Sequence, residues 1–301
     1  MSLKELTIKK SGTTAEAVFL ITGLTIGAGI LGLPYVIAQV GIIPGVIFLL
    51  LLGGVMLLLN LLITEIALVV GSDCQLGGLA ARYLSRPVAQ FFNVTIVVRD
   101  CGVLLAYLVG EGVALHALFG GHADLWTILF WLVMSFFVAA GLERLKTVEK
   151  IISIAVISLL VGISLVVFGR FQLANVAVVN LHNWLLPYGV ILFALHASPA
   201  ILEAHALIPN NPKRLRKAVI LGTLIPMLVY IVFSVAVVGA LGTNTTELAS
   251  VGLGVAYGHV MSVVINVLAI LAMSTGFMGL ATAFKQTLVW DEQVRDRKSV
   301  V

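Results

Sequence analysis

The amino-acid sequence predicts an all-α integral membrane protein with eight transmembrane helices, and three observations carry that prediction. Sixty per cent of its 301 residues are hydrophobic and only 11% are charged, a balance outside the range of soluble globular domains. The apolar residues gather into eight stretches, each near the length of about 20 residues that crosses a hydrocarbon core. The basic residues between them fall almost wholly on alternate connections, as the positive-inside rule requires when the span count is right.

The first stretch covers about residues 15–40 and contains "TIGAGILGLPY". It follows Lys9 and Lys10, is already long enough to span, and runs into Pro34 without a small-residue cleavage motif, so it is expected to be retained rather than removed as a signal peptide. The second stretch covers 43–70, and a short amphipathic piece, "LGGLAARYLSR", separates it from the third at 88–118. The fourth, fifth, sixth and seventh cover 125–141, 148–168, 184–207 and 217–241. A polar connection, "TNTTELASVG", leads to the eighth at 257–285.

With the N-terminus in the cytoplasm, the inside segments hold Lys4, Lys9 and Lys10; Arg82 and Arg86; Arg144, Lys146 and Lys150; Lys213, Arg214, Arg216 and Lys217; and Lys285, Arg295, Arg297 and Lys298. That is 16 of the 18 basic residues; Arg170 lies outside and Arg99 within the third span. Both termini are therefore expected in the cytoplasm and the chain in the plasma membrane. A net charge of +4 spread over five inside segments forms no single patch with aromatic neighbours, which excludes a nucleic-acid interface. Cys74 and Cys101 have neither metal-site nor disulfide-framework spacing and read as packing residues.

Gly27, Gly29 and Gly32 fit G-x-G-x-x-G, the dinucleotide fingerprint, yet the context that motif needs is missing. Pro34 interrupts the following helix, and no acidic residue appears before Glu65. Inside a membrane span such glycines either let helices pack closely or let one break. A break at mid-membrane exposes backbone amides and carbonyls, which is tolerated only where they line a site. Half-helix ends of this kind suit an anion and a cation together, as in a zwitterion. If the chain is built as an inverted repeat, a second interruption belongs five spans later. The sixth span supplies it in "VILFALHASPAILEAH", where Pro199 disfavours helix at Ser198.

The motif "TIGAGILGLPYVIAQVG", with the sixth span and "IPNNPKRLRKAVILGTLIP" after it, resembles the amino acid permeases of the amino acid, polyamine and organocation superfamily. The similarity is strongest to the amino acid/auxin and hydroxy/aromatic amino acid permease branches and runs from about residue 12 to the end. It implies one transporter domain over residues 1–301 with the LeuT-like inverted repeat, the first repeat at about 12–170 and the second at about 181–301. That fold has ten core helices, so the last two are expected to be missing from a chain that stops in "VWDEQVRDRKSVV". The implied function is secondary active import of a neutral, aromatic or hydrophobic amino acid by alternating access, driven by a Na⁺ or H⁺ gradient, with no other cofactor. The opposing reading is a membrane sensor or transporter remnant that binds an amino acid without moving it. No set of catalytic side chains points to an enzyme.

The resemblance also assigns residues. Substrate carboxylate and amine would meet Thr25, Gly27, Ala28, Gly29 and Ile30 on the first span and Phe193, Ala194, His196 and Ser198 on the sixth, with Tyr107 of the third span touching substrate. A Na⁺ site would use the Gly23, Ile26 and Leu271 carbonyls with the Ser274 and Thr275 hydroxyls, oxygen ligands suited to a hard cation. The fifth span lacks the lysine that some proton-coupled relatives place there, which favours Na⁺. The residues themselves keep the alternatives open. His196 also reads as a packing histidine, and Ser274 and Thr275 as hydroxyls bonding back to their own helix.

In the third span, Asp100, Tyr107 and Glu111 fall within about 20° of one helical face, a face that must look inward because charges avoid lipid. Arg99 and Asp100 read as forming internal pairs with other spans, in preference to a proton relay. Glu65 and Glu203, toward the cytoplasmic side, read as gate or proton sites.

Overall fold

The computed structural model describes residues 12–71, 75–140, 142–180, 182–209 and 211–287. Lys4, Lys9, Lys10, Cys74, Arg295, Arg297, Lys298 and the segment after Thr287 lie outside the described residues. The described chain is all-helical, with twelve α-helices and no strand among those residues.

The first apolar stretch is two helices, α1 (Thr14–Thr25) and α2 (Gly29–Val40), meeting at 59°. A capping box starts α1: the Thr13 hydroxyl accepts from the Glu16 amide at 3.2 Å, and the Glu16 carboxylate accepts from the Thr13 amide at 2.9 Å. The break follows from glycines at 27 and 29, which remove side-chain packing from the turn. A tight Gly27 amide to Thr25 carbonyl bond of 3.0 Å closes it. Gly41, at φ 100°, then turns the chain into α3 (Ile42–Val70).

Next come α4 (Leu76–Tyr83), the predicted amphipathic piece, then α5 (Arg86–Phe119), α6 (Ala123–Ala140) and α7 (Leu142–Phe168). The sixth stretch is again two helices, α8 (Leu186–Ala194) and α9 (Ser198–Leu207), with Leu195 to Ala197 between them. The Pro199 ring sits in the first turn of α9, where a missing N–H costs nothing. α10 (Pro212–Leu241) follows, opened by the Asn211 side chain accepting from the Arg214 amide at 3.1 Å.

The connection after α10 contains a nine-residue helix, α11 (Ala249–Tyr257), and α12 (His259–Gln286) starts after Gly258. Arg170, the basic residue expected outside, donates to the Ala256 carbonyl at 2.8 Å and lies 4.4 Å over the Tyr257 ring.

Among the described residues, six helices or helix pairs are long and apolar enough to cross a membrane, and the bent α1–α2 pair makes a seventh. α6 is equally apolar but shorter. The outward faces of α3 and α5 carry apolar side chains such as Leu51, Leu58, Val98 and Leu105, each more than half exposed. In water this surface would be a liability; in a bilayer it is the lipid contact. The chain is a multi-pass membrane protein. Inside, α1 and α3 pack on α10, whereas α5 packs on α6 and α12.

Candidate functional site

A cavity of about 230 Å³ opens where the two interrupted spans meet. One wall is the first break, through Thr25, Gly27 and Gly29, and a second wall is the end of α8, through Phe193, Ala194 and His196. Tyr107 and the Arg99–Asp100 pair of α5 supply a third. Seven of the ten residues assigned to substrate therefore face one space. The other three do not line it: Ile30 is fully buried in the core, Ala28 packs against the same core, and Ser198 opens α9. The size is below the range of about 300–1,000 Å³ for drug-sized ligands and suits a single small solute.

The glycines act by absence of volume, since Gly27 and Gly29 are not among the positive-φ glycines. A Cβ on Gly29 would stand 2.7 Å from the Ala194 Cβ, so the two breaks touch backbone to backbone. On Gly27 it would stand 2.5 Å from the Tyr107 hydroxyl, and on Gly276 of α12 2.8 Å from the same ring. Tyr107 is thus clamped between two glycines of different spans. Gly32 has only ordinary contact, 3.7 Å to Val190.

The polar end of the cavity is an ion cluster. Arg99 donates from Nε and Nη2 to one Asp100 oxygen at 2.9 and 2.6 Å, and from Nη1 to His196 Nε2 at 2.8 Å. A guanidinium has donors only, so Nε2 accepts and the ring proton is on Nδ1. His196 therefore both lines the cavity and ties span six to span three. Arg99 and Asp100, neighbours on α5, pair with each other and not, as the sequence suggested, with other spans; the contact that reaches another span is Arg99 to His196. Asp100, Tyr107 and Glu111 are all buried along one face of α5.

Sequence reasoning missed Tyr230. This fully buried α10 residue places its hydroxyl 2.7 Å from the Thr25 carbonyl and 3.1 Å from the Ala194 carbonyl. Those are the last residues of α1 and α8, whose carbonyls lack helical partners. One hydroxyl proton shared between them joins the two breaks. The only sequence signal was a lone tyrosine in an apolar span, one turn after Pro226. Tyr230→Phe is expected to weaken substrate binding about tenfold, the loss of roughly 1–2 kcal/mol for a buried hydrogen bond. Equal affinity of the two proteins in a labelled-ligand binding assay would show that the bridge does not shape the site.

Of the residues assigned to Na⁺, Ser274 donates to Glu111 at 3.0 Å and Thr275 donates to its own helix, to the Ala272 carbonyl at 2.9 Å and the Leu271 carbonyl at 3.3 Å. Gly23 lies against the Ser153 hydroxyl of α7, and Ile26 is buried in the core. Among the described residues no group of acidic, histidine or cysteine side chains is arranged for a metal. Glu65 forms a two-pronged pair with Arg216 of α10 at 2.6 and 2.8 Å, both about half exposed.

Comparison with known proteins now adds the decisive observation: residues 10–299 match the tryptophan/tyrosine permease family. The chain belongs to that family. Its relatives include tyrosine-specific transport system 2 of Haemophilus influenzae, 28% identical over 89% of this chain and 71% of that protein. Glutamine transporter 2 of Aliivibrio fischeri is 24% identical over 88% of this chain and 72% of that one. Tyrosine-specific transport system 1 of Haemophilus influenzae is 21% identical, over 89% and 70%. Members of this permease family are transport proteins and not enzymes, which agrees with a cavity walled largely by backbone and apolar side chains.

Proposed function

We propose that this permease imports an aromatic amino acid across the plasma membrane by alternating access. The observation that carries the reading is the cavity between two interrupted spans, tied together by Tyr230. Half-helix ends offer amides of α2 and α9 to a carboxylate and carbonyls of α1 and α8 to an ammonium. The apolar part of the wall, with Val103, Leu192, Phe193 and Leu280, would receive the side chain. The family and the two tyrosine-specific relatives support an aromatic one.

The architecture we propose is the LeuT-like inverted repeat with eight spans in this chain, the repeats covering about 12–170 and 181–301 and both termini in the cytoplasm. The first, second, sixth and seventh spans would rock against the third, fourth, fifth and eighth. Support comes from the packing of α1 and α3 on α10, and of α5 on α6 and α12. Arg99–His196 and the Tyr107 clamp cross that boundary and would have to rearrange as it moves. The test is counterflow in proteoliposomes: labelled tyrosine should enter vesicles preloaded with tyrosine or tryptophan faster than empty ones. Binding without counterflow would favour the sensor reading.

The coupling ion is Na⁺ or H⁺. The Na⁺ site, on Gly23, Ile26, Leu271, Ser274 and Thr275, requires both hydroxyls to present oxygens to the ion. Ser274→Ala with Thr275→Ala is expected to abolish any Na⁺ dependence of amino acid binding. A Na⁺ dependence that survives in the double variant removes this site.

A further inference from the structure

We infer that Asp100 reads the far end of the substrate's side chain, and that its carboxylate, with Arg99 beside it, makes the site prefer a phenol to a bare phenyl ring. The inference rests on the import reading above and names the atoms that choose among aromatic amino acids. Asp100 lines the cavity and is only 3% exposed. Both bonds that its carboxylate accepts, from Nε and Nη2 of Arg99, end on Oδ1. Oδ2 accepts none among the described residues, and it is not one of the side-chain oxygens sealed off without a partner, so it is open to the space that Asp100 lines. A carboxylate oxygen in so dry a place calls for a donor.

The neighbouring guanidinium offers the complementary group. Arg99 also lines the cavity, and of its five N–H groups three are committed, two to Asp100 and one to His196. An open acceptor and spare donors thus stand side by side. A phenol hydroxyl donates and accepts at once and answers both; an indole N–H answers only the acceptor, and a phenyl ring answers neither.

The placement fits a side chain held by its amino acid end at the breaks. Asp100 precedes Tyr107 by seven residues, about 10 Å along α5 and within about 20° of the same face. Tyr107 abuts Gly27 of the first break, so the break and the carboxylate stand at opposite ends of one wall. Val103 lies between them on α5, and Leu280 of α12 belongs to the same lining. The wall therefore runs from polar backbone through an apolar belt to a polar tip, the order of groups in tyrosine itself.

Charge points the same way. Arg99 and Asp100 cancel, and His196 is neutral because its Nε2 accepts from the guanidinium. A charged side chain would find no counter-charge in this cluster, whereas a neutral hydroxyl is fully matched. The substrate's ammonium is served elsewhere, by the carbonyls that end α1 and α8. Where a buried site is built to bond a hydroxyl, an analogue without one leaves polar groups unpaired, and discrimination is large for that reason.

The test is competition against labelled tyrosine on the purified full chain. Phenylalanine and 4-fluorophenylalanine, which donate no hydrogen bond from the ring, are expected to bind at least about tenfold more weakly than tyrosine, and 4-aminophenylalanine, whose neutral amine donates, within about fivefold of it. In Asp100→Asn the acceptor loses its charge, and tyrosine affinity should fall at least about fivefold further than phenylalanine affinity. A residue that only holds α5 in place, or one that binds the ammonium, would lower both alike, so an unchanged tyrosine-to-phenylalanine ratio in Asp100→Asn overturns the inference. Should that variant not fold, the wild-type series decides: tyrosine and phenylalanine bound within about twofold of each other overturn it equally. Wild-type protein that binds neither amino acid overturns the import reading as well, so the two failures are distinguishable.

Discussion

Gly29→Val is expected to abolish substrate binding, by at least a hundredfold, while the protein still inserts and folds. The argument is one of volume alone. Gly29 is the first residue of α2 and is not among the positive-φ glycines, so valine meets no backbone strain there. What it meets is Ala194: a bare Cβ would already stand 2.7 Å from the Ala194 Cβ and 2.8 Å from its Cα. Two further methyl groups must push the first break away from the end of α8, and overpacking of this kind costs roughly 1–3 kcal/mol before any ligand is considered. The displaced atoms include the Thr25 and Ala194 carbonyls that share the Tyr230 hydroxyl. Insertion should survive because valine only raises the apolarity of the span. Gly32→Ala is the matched control: its nearest neighbour would be an ordinary 3.7 Å away, and binding should stay within about twofold of wild type. The measurement is saturation binding of labelled tyrosine to purified protein. Normal affinity in Gly29→Val would mean that the interhelical contact at the break does not define the site.

What could be read from the sequence was local or periodic. The first break announced itself through glycines and Pro34, the second through Pro199, because these residues act on their own backbone. The inward face of the third span followed from helical angle alone, and Asp100, Tyr107 and Glu111 are indeed buried together. What could not be read was long-range pairing. Tyr230 meets carbonyls 205 and 36 positions away, Arg99 meets His196 across 97, and Ser274 meets Glu111 across 163. Backbone carbonyls carry no sequence signature, so a tyrosine that serves two of them looks like any apolar-span aromatic. The helix α11 was hidden for another reason: "ASVGLGVAY" contains two glycines, poor helix formers, and its helical state depends on packing against α12. The glycine motif itself was legible as a place of close approach, but not which neighbours approach. That each of Gly27 and Gly29 faces a different span, Tyr107 in one case and Ala194 in the other, follows only from the fold.

Arg99→Met should destabilise the protein by about 3 kcal/mol, and Asp100→Asn in the same chain should restore most of that loss. Asp100 is 4% exposed in its side chain, and Arg99 supplies its only ion pair among the described residues. Removing the guanidinium strands a buried carboxylate, a defect that typically costs 3–5 kcal/mol. The low end applies because the Arg99 side chain is 32% exposed and water can reach the vacated space. The amide of the double variant carries no charge to strand, so the penalty largely disappears even though the ion pair is gone. The sign of the coupling thus separates two roles. If the pair serves only to neutralise charge inside the membrane, the double variant recovers both thermal stability in detergent and tyrosine binding. The Nη1 contact to His196 argues for more than neutralisation, because no substitution of Asp100 replaces that link between the third and sixth spans. The expected result is therefore stability regained and binding not regained. Recovery of both would reduce Arg99 to a counter-ion, and recovery of neither would show that its packing, rather than its charge, holds α5 in place.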